Sequence, residues 1–165
     1  KKILNKTWTN FPHPDLKNEI ILLANKMKIS FYELAKSITY NATNHPQSRI
    51  LLTESLIEKQ DWEKARNQIK TLLEHSPTRE VCLLMANIEK GDTGDPQKIN
   101  SWISRSNYAK INKIWVCQIS NVTQNEWTSV SQSGYFNSLR WQYPKKLPQL
   151  SSSDFEIESV KYINH

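Results

Sequence analysis

Eight side chains in this 165-residue sequence could ligate a metal or a haem iron: His13, His45, His75, His165, Cys82, Cys117, Met27 and Met85. Imidazole, thiolate and thioether suit such centres only when their spacing lets them converge. The spacing here does not do so. No Cys is followed by Pro, and no Cys-x-x-Cys-His occurs. Cys82 lies in the apolar run Val81-Cys82-Leu83-Leu84-Met85-Ala86 and reads as a small core residue. His45 and His75 stand one and two residues ahead of a proline, where they read as decorations of helix C-termini that favour imidazolium. The expectation is no metal and no cofactor.

Catalytic constellations are equally scarce. The chain has three glycines and contains no Gly-x-Ser-x-Gly, no phosphate-binding Walker loop and no dinucleotide-binding glycine cluster. Two cysteines cannot make a disulfide framework, and unpaired thiols suit a reducing compartment. The expectation is a non-catalytic protein.

The net charge of +6 is spread, not focused. Residues 1–46 carry seven Lys and three acids, residues 47–105 carry nine basic and nine acidic residues, and the remainder six and four. A nucleic-acid surface needs basic groups gathered on one face, whereas here they alternate with Asp and Glu along helices. No nucleic-acid partner is expected. No stretch approaches the ~20 apolar residues of a membrane span, and the sequence begins at Lys1 rather than methionine, so it is expected to be a fragment whose targeting information lies upstream.

What remains for function is surface, and helices must shape it. From Pro46 to Asn107 apolar side chains recur every three to four residues: Ala65, Ile69, Leu72 and Leu73 fall on one side of a helix, with Glu63, Lys64, Arg66, Gln68 and Lys70 opposite. Leu51, Leu52 and Leu56 give a partner helix, with Asp61 placed to cap the next. Pro46 and Pro77 bound this hairpin, and a similar unit follows from Thr78. Leu52, Ala65, Ile69 and Leu72 sit at or near the apolar and small positions of a tetratricopeptide repeat, while Thr53 and Leu56 depart from it. An ordinary antiparallel helix pair is the other reading. Such arrays present a concave surface, lined on this register by Gln47, Ile50, Glu54 and Ile57, with the two isoleucines as apolar anchors and Glu54 as a polar selector. The alternative is that Ile50 and Ile57 pack on the preceding hairpin.

Upstream, Lys1–Phe11 has no helical period and reads as an extended lead-in that pins Trp8 and Phe11 on the domain. Pro14 and Asp15 start a helix over about Asp15–Met27, with Leu16, Ile20, Leu23, Ala24 and Met27 inward. Ser30 with Glu33 forms a capping box for a helix over Phe31–Thr43. Downstream, a helix from Pro77 stops at the Gly91–Pro96 break, and Asp95 caps the next, with Ile99, Trp102 and Ile103 inward. The expected fold is mostly α: about six helices in tetratricopeptide-like hairpins stacked as a short solenoid over residues 1–107. Residues 108–165 form an aromatic-rich extended or β cap and tail, in which Trp115, Trp127, Phe136 and Trp141 cover the last helix. Lys145–Ser153 reads as a linker and Asp154–Tyr162 as an edge strand.

Taken together, Pro12–Leu16, Trp62–Arg66, Val81–Glu89, Gly94-Asp95 and Trp127–Gly134 through Trp141 resemble the carboxy-terminal part of HemY proteins of α-proteobacteria, over most of residues 10–144. That resemblance implies a bacterial inner-membrane protein with an amino-terminal anchor followed by tetratricopeptide repeats, associated with late protohaem synthesis and without an established catalytic role. With the hairpins and the missing catalytic motifs, the expectation is a scaffold whose partners are membrane-associated enzymes of haem synthesis, the domain lying on the cytoplasmic face with the periplasmic face as the alternative. A porphyrin or haem carrier is the alternative. The tail also resembles a rubredoxin-type knuckle, which needs two Cys-x-x-Cys pairs; the sequence offers Cys117 with Ser120 and Val130 with Ser133, so three of four thiolates are missing and no metal is expected.

Overall fold

The structure is a computed structural model that describes residues 1–74 and 77–145. Seven α-helices lie among these residues: α1 (Lys2–Asn10), α2 (Leu16–Met27), α3 (Phe31–Thr39), α4 (Pro46–Glu58), α5 (Trp62–Glu74), α6 (Arg79–Asp92) and α7 (Pro96–Tyr108). Helices α2/α3, α4/α5 and α6/α7 pack as successive hairpins. A three-stranded antiparallel sheet follows, ordered β2 (Thr123–Gln124), β1 (Ile114–Cys117), β3 (Leu139–Gln142). No helix among the described residues is long and apolar enough to cross a membrane.

Local chemistry sets the helix ends. The Ser30 hydroxyl accepts the Glu33 N–H at 3.2 Å and the Glu33 carboxylate accepts the Ser30 N–H at 3.3 Å, so the capping box forms as read. Asp95 accepts the Gln97 N–H at 2.9 Å with Pro96 in the first turn of α7. The helix from Phe31 ends at Thr39, earlier than the expected Thr43, and continues as a 3-10 turn over Tyr40–Ala42.

Helix α4 is the hub. Its Leu51 and Leu52 join the core built by Trp8, Ile20, Phe31, Leu34 and Ile38, while its Ile50 and Leu56 join a second core with Ala65, Ile69, Val81, Leu84, Met85 and Ile88. A helix buried on both sides cannot show an amphipathic stripe. Its small polar residues survive burial by hydrogen bonding: Thr53 and Ser55 donate within the helix to the Arg49 and Leu52 carbonyls at 2.8 Å each, and Ser48 Oγ accepts from Trp8 Nε1 of α1 at 2.8 Å.

Several expectations are corrected. Residues 2–10 form a helix instead of an extended lead-in; Leu4 and Trp8, four apart, share the face that meets the first core. Trp8 is buried but Phe11 is exposed. Met27 is exposed too, because α2 ends there on Lys28, whose left-handed backbone turns the chain toward α3. The break at Gly91–Pro96 does stand where it was expected: α6 ends inside it at Asp92, one residue after Gly91, and the left-handed turn belongs to Gly94.

The cap also lies elsewhere than expected. It runs along the edge where α6, α4 and α2 begin, in that order. The Lys110 carbonyl accepts from Arg79 N–H at 2.9 Å, and Asn112 closes a two-bond clasp on Glu80: its Oδ1 accepts from the backbone N–H at 3.2 Å and its Nδ2 donates to the carboxylate at 3.1 Å. Burial lowers the pKa of His45, at the start of α4, and the charge of Lys113 adds to that lowering. Trp115 Nε1 then donates to Asp15 at the start of α2, at 3.3 Å. Trp115 and Trp141, cross-strand partners, close over the His13 ring with centroids 5.1 and 4.3 Å away, while Trp127 and Phe136 face solvent. The linker beyond Lys145 and the edge strand Asp154–Tyr162 lie outside the described residues.

Candidate functional site

The residues named from sequence divide between core and surface. Gln47, Ile50 and Glu54 line a depression of about 120 Å³ on α4, with Trp8, Pro14, Lys17 and Glu80. Glu54 is not open to a partner: Lys17 Nζ sits 2.6 Å from its carboxylate, which is mostly buried. Burial raises the Glu54 pKa, and the Lys17 charge and hydrogen bond oppose that. Ile50 belongs to the second core, on the side of the following hairpin, not the preceding one; Ile57 is half-buried against the same core.

A larger surface opens on the other side of α4. Helices α3 and α5 stand apart there, leaving an open groove of about 490 Å³. Leu52, Leu56 and Thr39 form its floor and Tyr32 and Tyr40 its aromatic wall; Lys36, Arg49 and Lys64 supply positive charge, and Asn44, Asn67 and Gln68 supply amides. None of the lining residues is acidic. Arg49 donates to Asn44 Oδ1 at 3.2 Å, and Lys64 Nζ lies 2.6 Å from Asp61 just outside the groove. Tyr40 stands 77 % exposed, so the wall is available for contact. Sequence reasoning missed this groove because it sought the concave side. Tyr32, Lys36 and Tyr40 recur every four residues, and Lys64 is followed at three and four by Asn67 and Gln68, which is the signal that could have found it.

Comparison with known proteins gives one short likeness. Residues of this chain are 31% identical over a 77-residue stretch to the "Probable magnetosome protein Mms48" of Magnetospirillum gryphiswaldense, covering 46% of this chain and 17% of that protein. The chain thus spans about a sixth of the length of this relative. No family model matches, and no solved structure matches.

The possible ligands do not gather. His13 is buried, its Nδ1 accepting from the Asp15 N–H at 3.2 Å and its Nε2 without a hydrogen-bond partner among the described residues, beside the Trp141 ring. His45 sits at the N-terminus of α4, not at the expected C-terminus of a helix: its Nδ1 accepts from the Gln47 N–H at 3.2 Å, doing what an Asp or Ser does elsewhere. Cys82 is buried in α6, and burial raises its thiol pKa. His75 and His165 lie outside the described residues. Among the described residues no three His, Cys, Asp or Glu side chains are placed to hold a metal ion.

The knuckle positions come together in part. Cys117 Sγ accepts from the Ser120 N–H at 3.5 Å and lies 3.3 Å from Ser138 Oγ, and the Ser120 and Ser133 hydroxyls meet at 2.6 Å. Val130 is instead nearly half exposed. Desolvation pushes the Cys117 thiol up, but its hydrogen bonds with Ser120 and Ser138 outweigh this and bring the pKa to about 6. The site is a hydroxyl-lined thiol pocket whose bonds hold the two turns in place.

Proposed function

We propose that this chain is a non-catalytic protein-interaction scaffold, a tetratricopeptide-like array of the HemY kind, held at a bacterial inner membrane by an anchor outside this sequence. Its partners are membrane-associated enzymes of late haem synthesis, met on the cytoplasmic face. One observation carries the reading: three successive helices leave an open groove of about 490 Å³ whose aromatic, amide and cationic lining suits a polypeptide. The likeness to a protein of an α-proteobacterium supports the bacterial side of it.

The test is a photo-crosslinking amino acid in place of Tyr40 in the full-length protein in cells. The expected result is one discrete adduct containing a haem-synthesis enzyme, absent when the crosslinker replaces the exposed Leu22 on α2. Equal, diffuse labelling from both positions overturns the proposal. A haem titration separates it from the carrier reading, since a scaffold gives no saturable Soret shift at stoichiometric haem.

A further inference from the structure

We propose that the groove between α3 and α5 takes an acidic, extended segment of a partner protein in which aromatic or aliphatic residues alternate with carboxylates. This rests on the groove being the partner surface, and adds the chemistry of what lies in it.

The charge is the first ground. Lys36, Arg49 and Lys64 come from three different helices and converge on one concavity that contains no acid. Convergent charge over a low-dielectric floor such as Leu52 and Leu56 acts more strongly than the same charges spread on a convex surface. The three are not equal. Lys64 is already matched by Asp61, so Lys36 and Arg49 are the principal anchors. Among the described residues the Arg49 guanidinium is held by one bond, to Asn44, and a guanidinium has five donors, enough to grip a carboxylate in a forked pair as well.

The rest of the lining explains why the occupant is a peptide instead of a lone anion. A free phosphate has no use for an apolar floor. An extended chain, whose successive side chains point to opposite sides, can set carboxylates toward Lys36 and Arg49 and apolar groups toward Leu52, Leu56 and the tyrosines. Asn44, Asn67 and Gln68 each present both a donor and an acceptor, which is what an unpaired peptide backbone requires. The groove is open, so a chain can pass through it.

The sequence supplies a probe of this pattern in Asp154-Phe155-Glu156-Ile157-Glu158-Ser159. Fluorescein-labelled peptide of that sequence is titrated by anisotropy into the full 165-residue chain, and into the full chain with Asp154, Glu156 and Glu158 replaced by Ser. The expected result is saturable binding that weakens at least tenfold in the double variant Lys36→Glu/Arg49→Glu, weakens severalfold in Tyr40→Ala, and is unchanged in Lys98→Glu on α7. It weakens with added salt, and a probe with lysine at the three acidic positions does not bind. Equal binding to both chains is expected; tighter binding to the Ser-substituted chain shows that the chain's own stretch occupies the groove and overturns the partner's segment as its occupant. Equal binding to the double variant and Lys98→Glu, or a single-stranded oligonucleotide that displaces the peptide at lower concentration, overturns it. Failure here with a Tyr40 adduct still forming in cells leaves the scaffold reading standing and removes only the acidic occupant; peptide binding without any Tyr40 adduct does the reverse.

Discussion

The indole of Trp62 fills the space that a side chain on Gly91 would need. A glycine inside α6 costs helix stability on its own account, about 1 kcal/mol relative to alanine, so its presence has a packing cause. Helices α5 and α6 close on each other through this ring, and the Arg66 pairs to Glu89 at 3.1 Å and Asp92 at 2.7 Å flank it.

Gly91→Ala is therefore expected to destabilise the protein by about 1–3 kcal/mol despite the better helix propensity, because overpacking a filled site outweighs it. A urea midpoint measures this. In a Trp62→Ala background the same substitution is expected to turn stabilising, and that change of sign separates crowding from any other effect at residue 91.

Acid is expected to loosen the edge on which the sheet rests. The His13 pKa is lowered, first by burial, against the opposing charge of Asp15; the His45 pKa is lowered by burial and by Lys113. For each, the native state takes up a proton less readily than the unfolded chain, so stability holds above about pH 6.5. It falls as pH drops below that value and levels off once the native histidines are themselves protonated. Denaturant midpoints measured from pH 7.5 to pH 5 show this slope, and it is shallower in His13→Asn, whose amide oxygen can accept the Asp15 N–H without titrating.

Thiolate absorbance at 240 nm should rise with a midpoint near pH 6 in the native protein, and this step should vanish in Cys117→Ser while surviving Cys82→Ala. Ser138→Ala moves the midpoint upward. A pKa lowered from its ordinary value near 9 to about 6 also means that Cys117 contributes stability fully present above the higher value and lost as pH falls through the lower one.

Asn112→Ala removes both bonds of the clasp on Glu80 and is expected to cost about 1–3 kcal/mol, from two net contributions of roughly 0.5–1.5 each. Amide exchange at Glu80 accelerates in the variant, since that N–H loses its acceptor, whereas exchange in the interior of α3 does not change.

Much of the helical part was legible in residue order, for reasons visible in particular places. Ser30 with Glu33, and Asp95 with Pro96, state a helix start in two residues each, and both act as read. Helix α1 was not legible because nine residues with one buried side chain, Trp8, carry too short a pattern to show a period. Helix α4 gave anchors that were half core because a rod buried on two sides shows apolar residues everywhere, and only its neighbours decide which way Ile50 points. The groove escaped because its residues come from three helices, and no local spacing records that Arg49 and Lys36 line one groove. The docking of Trp115 on Asp15, one hundred positions apart, is likewise a property of the folded chain alone.

The path of the first strand has a consequence for how long the array can be. By bonding to the beginnings of α6 and α2 and passing near that of α4 between them, the segment from Lys110 to Trp115 acts as a ruler laid against three hairpins. Its six residues reach about 20 Å at full stretch, and an extra hairpin inserted between α3 and α4 would carry Asp15 and His13 past its end. Repeat arrays commonly vary by gaining or losing units; here a unit added between α3 and α4 would break the docking of Trp115 on Asp15, so the three described hairpins from α2 to α7 are held as one set.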